Sequence, residues 1–176
     1  MYYIVVCMIK YGGNVRKEGG YDKSNIVYTP RDLSKKIIDY FQPEGLCLDP
    51  CKGDGAFYDY LPNPKEWCEV TEGRDFYDWE GEVDWIITNP PWSGLTPFLK
   101  HCFEVSKNTV LLYNLVWTKK RIREMIEMNQ GQKEIIFVDS PPPPWPQMGI
   151  QLVIHHYQRG WKGDCKMTYH PFKVVD

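Results

Sequence analysis

Short runs of consecutive apolar residues, each bounded by turn formers, recur along this 176-residue chain and are separated by segments with helical spacing. A strand with one face in water alternates apolar and polar residues, whereas a continuous apolar run belongs to a strand covered on both faces. Such runs lie at 46–48, 83–88, 109–113, 134–138 and 151–154, with a weaker one at 67–70. Helical stripes fall between several of them. Leu33, Ile37, Ile38 and Phe41 share one face over 29–41, and Ile122, Met125 and Ile126 share one over 119–128, with a third helix at 96–106. Thr29 is placed to cap the first helix and Pro30 to start it. Strands alternating with helices predict a doubly wound α/β fold around a mostly parallel sheet.

The 43% hydrophobic content is enough for one substantial core, and the expected organisation is a strand or loop leader over 1–23 followed by one domain over 24–176. The run 3–9 is too short to span a bilayer and has no signal-peptide flank, so no membrane association is expected. Six cysteines without a C-x-x-C pair suggest neither a zinc site nor a disulfide framework, which fits reduced thiols in the cytoplasm. His155 and His156 are strand neighbours that point to opposite faces and cannot share a metal; no metal is assigned. A net charge of −2 gives no overall pull toward a polyanion, so nucleic-acid contact requires a local basic face or a partner. Lys52, Arg74 and the run Lys119-Lys120-Arg121 with Arg123 are the basic candidates, although such a run is more often the solvated face of a helix. The proline-rich segment 141–146 cannot continue a strand and forms a loop, in which Trp145 either packs on the protein or meets a partner.

Two segments carry chemistry. Asp49-Pro50-Cys51-Lys52-Gly53-Asp54-Gly55 follows the first apolar run and opens a helix, so its glycines let backbone approach a ligand at the carboxyl edge of the sheet. It lacks the spacing of a dinucleotide fingerprint and the ending of a phosphate-binding loop. Thr88-Asn89-Pro90-Pro91-Trp92 also follows a strand and emerges at the same edge. The two prolines stiffen the backbone and carry no N–H, leaving Asn89 Oδ1 and the Pro90 carbonyl as acceptors suited to a planar amino group, with Trp92 as a stacking surface.

The Asp-Pro-x-x-Gly-x-Gly loop followed by Asn-Pro-Pro-Trp resembles the S-adenosylmethionine-dependent amino-methyltransferases, especially the DNA adenine-N6 methyltransferases of the small phage type. The Val27-Tyr28-Thr29-Pro30 segment resembles a further cofactor-contacting element of that family, and the likeness extends over about residues 24 to 160. It implies a Rossmann-like methyltransferase fold with an antiparallel last strand. It implies further that Asp49, Pro50, Gly53 and Gly55 border the methionine part of the cofactor, with Tyr28, Thr29 and Pro30 covering it and Asn89 adjoining. Glu69, twenty residues after Asp49, would bind the ribose, with Glu72 as competitor, and Asp75 and Phe76 would contact the cofactor's adenine. Asn89, Pro90, Pro91 and Trp92 would form the catalytic segment. The stretches 69–75 and 75–89 cannot each hold a helix and a strand, because three helical turns need about eleven residues. The family's third strand is therefore expected to be missing.

In-line methyl transfer depends on positioning more than on a general base, and the sequence offers no obvious base. The implied acceptor is adenine N6, in DNA before RNA, flipped out of any duplex onto Trp92. With no separate target-recognition segment, a homodimer or protein partner would supply recognition. An RNA adenine methyltransferase, a protein-glutamine methyltransferase and a non-catalytic cofactor binder remain open alternatives.

Overall fold

The computed structural model describes residues 27–91, 95–115, 123, 125–143, 145 and 151–170. Trp92, the leader 1–23, and Lys119, Lys120 and Arg121 lie outside the described residues.

The chain forms α1 (Arg31–Phe41), β1 (Cys47–Asp49), β2 (Lys65–Trp67), β3 (Val83–Thr88), α2 (Leu95–Val105), β4 (Ser106–Asn114), β5 (Gln130–Phe137), β6 (Leu152–Arg159) and β7 (Lys166–Tyr169). The seven strands make one sheet in the order β2-β1-β3-β4-β6-β5-β7. Strands β2, β1, β3 and β4 run parallel, β6 is antiparallel to both β4 and β5, and β7 pairs parallel with β5. The fold is the mixed, Rossmann-like α/β architecture expected. The antiparallel strand is the run at 151–154, lengthened to Arg159, and β7 lies beyond it.

The uninterrupted apolar runs are explained by burial on two faces. On β4, Val110 and Leu112 pack with Leu33, Ile37 and Ile38 of α1, while Leu111 and Tyr113 pack with Phe98, Leu99 and Cys102 of α2. On β3, Ile87 joins the α1 side and Ile86 the α2 side. Each of these side chains is at most 8% exposed, and at about 25 cal/mol per Å² of apolar area such residues carry most of the driving force for folding.

Three local expectations are corrected. Thr29 does not cap α1: Pro30 occupies the N-cap position with no side-chain bond, and the helix ends with Gln42 in the left-handed region at φ 45°, its N–H bonded to Ile38 O at 2.9 Å. The loop after β1 leads only to a 3-10 turn, Tyr58–Tyr60, not to an α-helix, because Pro62 and Pro64 follow at once and cannot donate to a continuing ladder. Strand β2 covers Lys65–Trp67 in place of 67–70, because Glu69 turns inward and caps a 3-10 turn at Val70–Glu72. A second such turn, Phe76–Asp78, leads to β3, so no strand stands between β2 and β3 in sequence and β2 forms the sheet edge. Trp145 is 4% exposed and packs in the α1-side core, so it is not a docking aromatic.

Candidate active site

Strands β1 and β3 are direct parallel neighbours, with Cys47 opposite Trp85 and Leu48 opposite Ile86, so the loops that follow them leave the sheet side by side. A single side-chain bond joins the two exits: Thr88 Oγ1 donates to Asp49 Oδ1 at 2.8 Å. Above it opens a cleft enclosing about 470 Å³ of non-protein space, part of it open to solvent. Tyr28 and Thr29 line one side, Cys51 to Asp54 another, and Asn89, Pro90 and Pro91 a third. The three segments singled out in the sequence thus meet at one place.

The glycine loop is held from below and from the side. Gly53 has φ +55° and Gly55 φ +88°, values that L side chains rarely adopt. A Cβ on Gly53 would stand 3.4 Å from the Tyr28 ring, and one on Gly55 would stand 3.1 Å from the Asp59 carboxylate. Beneath the loop, Glu69 is 3% exposed. Its Oε2 accepts Gly53 N–H at 3.0 Å and its Oε1 accepts Thr71 N–H and Oγ1–H at 3.0 and 2.6 Å. Glu69 is therefore no solvated surface charge but a brace for the loop. Glu72 pairs with Lys52 at 2.7 Å, and that ammonium lies 3.8 Å from the Trp67 ring centroid. Arg74, the other basic candidate, pairs with Glu66 at 2.9 Å and stacks over the same ring.

Asp49 is 1% exposed. Its Oδ1 accepts from Thr88 and, at 3.2 Å, from Cys51 N–H, while Oδ2 is buried with no hydrogen-bond partner. Burial pushes its carboxyl up to about 7 against the bond from Thr88 and the backbone N–H groups of Cys51 and, at longer range, Tyr58. Asn89 donates from Nδ2 to Thr29 Oγ1 at 3.2 Å, and its Oδ1 is likewise buried without a partner. A buried acceptor left unmade costs about 1–3 kcal/mol. Three further buried polar atoms without partners, the acceptors Gln132 Oε1 and Gln158 Oε1 and the donor Trp161 Nε1, belong to β5, β6 and the turn after it, none of which lines the cleft. Burial, followed by the carboxylates of Asp54 and Glu69, raises the Tyr28 phenol.

Of the expected cofactor-binding residues, Tyr28, Thr29, Gly53 and Asn89 line the cleft and Pro30, Asp49, Pro50, Gly55, Glu69, Asp75 and Phe76 do not: Asp75 caps the turn at Phe76–Asp78 by accepting Tyr77 N–H at 3.0 Å, and Phe76 is fully buried against Phe98 and His101. His101 bonds to Phe76 O and Glu104. His155 bonds to Gln132 at 2.8 Å and His156 to Asn108 at 3.1 Å, on opposite faces as expected.

Sequence reasoning missed the clamp on the other side of the loop. Arg31 bonds to Asp59 and, at 2.7 Å, to Asp54 O, while Ser34 Oγ donates to Ala56 O. These partners are separated by 22 to 28 residues, and no local pattern announces them.

S-adenosylmethionine carries an ammonium, a carboxylate and a sulfonium, and an acidic lining residue fits its two positive groups. Of the nearby carboxylates Asp54 lines the cleft, whereas Asp49 and Glu69 are buried and bond to the glycine loop, and the one lysine of the lining is already paired with Glu72.

No protein-family model and no curated protein matches the chain. Solved structures do. A protein from Listeria monocytogenes described as a class I S-adenosylmethionine-dependent methyltransferase is similar with a TM-score of 0.62 at 12% identity, over 81% of this chain and 66% of that one. A Pyrococcus horikoshii protein described as an RNA methyltransferase gives 0.54 at 16% identity, over 73% and 83%. The methyltransferase subunit of a type I restriction-modification system from Streptococcus thermophilus gives 0.54 at 12% identity, over 80% and 47%, so this chain spans about half of that subunit.

Proposed function

We propose that this protein transfers the methyl group of S-adenosylmethionine to the exocyclic N6 of adenine in DNA. The observation that carries this reading is the Asn89 side-chain oxygen, a buried acceptor without a donor, fixed on the proline-stiffened loop that shares a cleft with the glycine loop. The fold shared with methyltransferase structures supports the cofactor assignment.

When bound, the cofactor supplies a methyl group already activated on a sulfonium. Gly53 admits it close to backbone, Tyr28 covers it, Asp54 lies on the lining toward its positive charge, and the buried Asp49 and Glu69 hold the loop that carries both glycines. On the acceptor side, Asn89 Oδ1 and the Pro90 carbonyl hold the two hydrogens of the amino group. This draws the nitrogen lone pair out of conjugation with the ring and aims it along the line of transfer. The nitrogen is left with one surplus proton, which passes to water once the new N–C bond has formed. Trp92 supplies the stacking that an extruded base loses.

Recognition of a DNA sequence is assigned to a second copy or to a partner protein, because the described basic candidates Lys52, Arg74 and Arg123 are each ion-paired.

The test is transfer of labelled methyl to single-stranded DNA, double-stranded DNA, RNA and a glutamine-bearing peptide. Label is expected in DNA as N6-methyladenine, and Asn89→Ala is expected to lower the rate by about 10²–10³, the scale of removing one preorganised polar partner of the reacting group. Label appearing only in RNA or in the peptide would reassign the acceptor. Cofactor binding without transfer to any of the four would remove the catalytic reading.

A further inference from the structure

Thr29 is 5% exposed, lines the cleft just before α1, and is joined to Asn89 across sixty residues of sequence by the 3.2 Å bond from Nδ2. It makes no cap bond to the helix. Among the described residues its hydroxyl bonds to the proposed acceptor-binding asparagine alone. An amide group turns about its terminal torsion with broad, weak preferences, so a loop that fixes the Asn89 backbone does not by itself fix the plane of its amide. Neither Pro90 nor Pro91 has an N–H to hold Oδ1.

The geometry points to Thr29 as the positioning residue that fixes the amide plane of Asn89 and leaves its oxygen free for an amino group. One Nδ2 hydrogen is committed to Thr29 Oγ1, and the remaining polar edge presents Oδ1, the orientation that an incoming NH2 selects. Because Thr29 belongs to the segment that covers the cofactor side of the cleft, the same residue ties the acceptor-binding loop to the entry of α1. The inference rests on the reading of Asn89 as the amino-group acceptor only for its catalytic consequence; the contact itself stands apart from it.

A hydroxyl both donates and accepts, so serine keeps this contact and valine removes it in either orientation of the amide. Thr29→Val is expected to lower kcat at saturating cofactor roughly five- to tenfold, the value of one neutral hydrogen bond, and to lower it by more than it weakens cofactor binding measured by calorimetry. Thr29→Ser is expected to return kcat to within about twofold of the parent on the same scale. Weaker cofactor binding with unchanged kcat, or no rescue by serine, would overturn the assignment. A second readout needs no turnover: the side-chain amide resonances of Asn89 in ¹⁵N-labelled protein, identified by their loss in Asn89→Asp. They are expected to shift and to exchange faster with water in Thr29→Val, but not in Thr29→Ser. The dispersion of the same spectra reports whether each variant is folded, and Thr29→Ala replaces the valine variant if it is not. Unchanged Asn89 resonances in the folded variant would overturn the inference. If the amide responds while the parent transfers no methyl to any acceptor, the proposed function fails and the Thr29 contact stands.

Discussion

Two carboxylates in the same sheet are treated in opposite ways. Glu134 on β5 is 8% exposed, and its Oε1 receives Tyr40 O–H at 2.8 Å and the Lys166 ammonium at 2.9 Å, with Thr168 at 3.5 Å. Those partners come from α1 and β7, so the charge joins the far edge of the sheet to the helix above it. Asp49 on β1 is 1% exposed, pairs with no cation among the described residues, and keeps one oxygen without a hydrogen-bond partner. The far region uses its buried charge for structure, whereas the cleft region bears an unsatisfied one. A fold tolerates that cost where something outside the chain completes the site.

The strongest way to break this contrast is Asp49→Asn, which keeps the shape and removes the charge. Burial raises the native carboxyl from the ordinary 3.8 to about 7, so between those values the native state holds a proton that the unfolded chain has released. Stability from this group is fully present below about pH 4 and is lost as pH rises toward 7, on the order of 4 kcal/mol at most. The variant is expected to melt above the parent at pH 8, to lose that advantage at pH 4, and to bind S-adenosylmethionine at least about tenfold more weakly. A variant less stable than the parent at pH 8 would mean that the charge is structural after all.

His156 sharpens the comparison with the reverse sign. Its ring stacks on Trp85 and meets the edge of Phe41, and burial, with Lys133 next, lowers its pKa from 6.5 to about 4. In that window the unfolded chain binds the proton and the native protein does not. The contribution is present above pH 6.5 and fades as pH falls toward 4, by on the order of 3 kcal/mol. Asp49 and His156 therefore oppose each other from pH 4 to 6.5, and the parent's melting temperature should change little there. Asp49→Asn should gain stability with rising pH in this range and His156→Gln should lose it. Parallel pH profiles for the two variants would refute the opposition.

The cleft was legible in the sequence because its parts are local: a strand running into Asp-Pro and two glycines, and a second strand running into Asn-Pro-Pro. Adjacent parallel strands bring such loops together without any further instruction, and the short stretch from Glu69 to Asn89 already excluded a strand between them. What stayed hidden is long-range. Thr29 reads locally as a cap, and only the fold turns its hydroxyl to Asn89. Strand β7 has exposed Met167 and Tyr169 and no apolar run, because its place is set by pairing with β5 and by the contacts of Lys166 and Thr168 with Glu134. The polar ends of β5 and β6, from Gln130 to Glu134 and from His155 to Arg159, are strand because they pair with each other and not because of composition.

The smallest expected effect belongs to the satisfied carboxylate. Glu134→Gln retains an oxygen that can accept from Tyr40 but gives up the charge that holds Lys166. That lysine is 61% exposed and returns to water at little cost, so the loss is limited to about 1 kcal/mol. A fall of about 2–4 °C in melting temperature follows for a chain of this size. It should be nearly constant between pH 6 and 8, with S-adenosylmethionine affinity unchanged, because Glu134 lines no part of the cleft. Asp49→Asn and Glu134→Gln are the same chemical change made at two depths of one sheet, so their melting shifts at pH 8 must have opposite signs if satisfaction by donors, rather than burial alone, separates the two regions. Stabilisation by Glu134→Gln would erase that distinction.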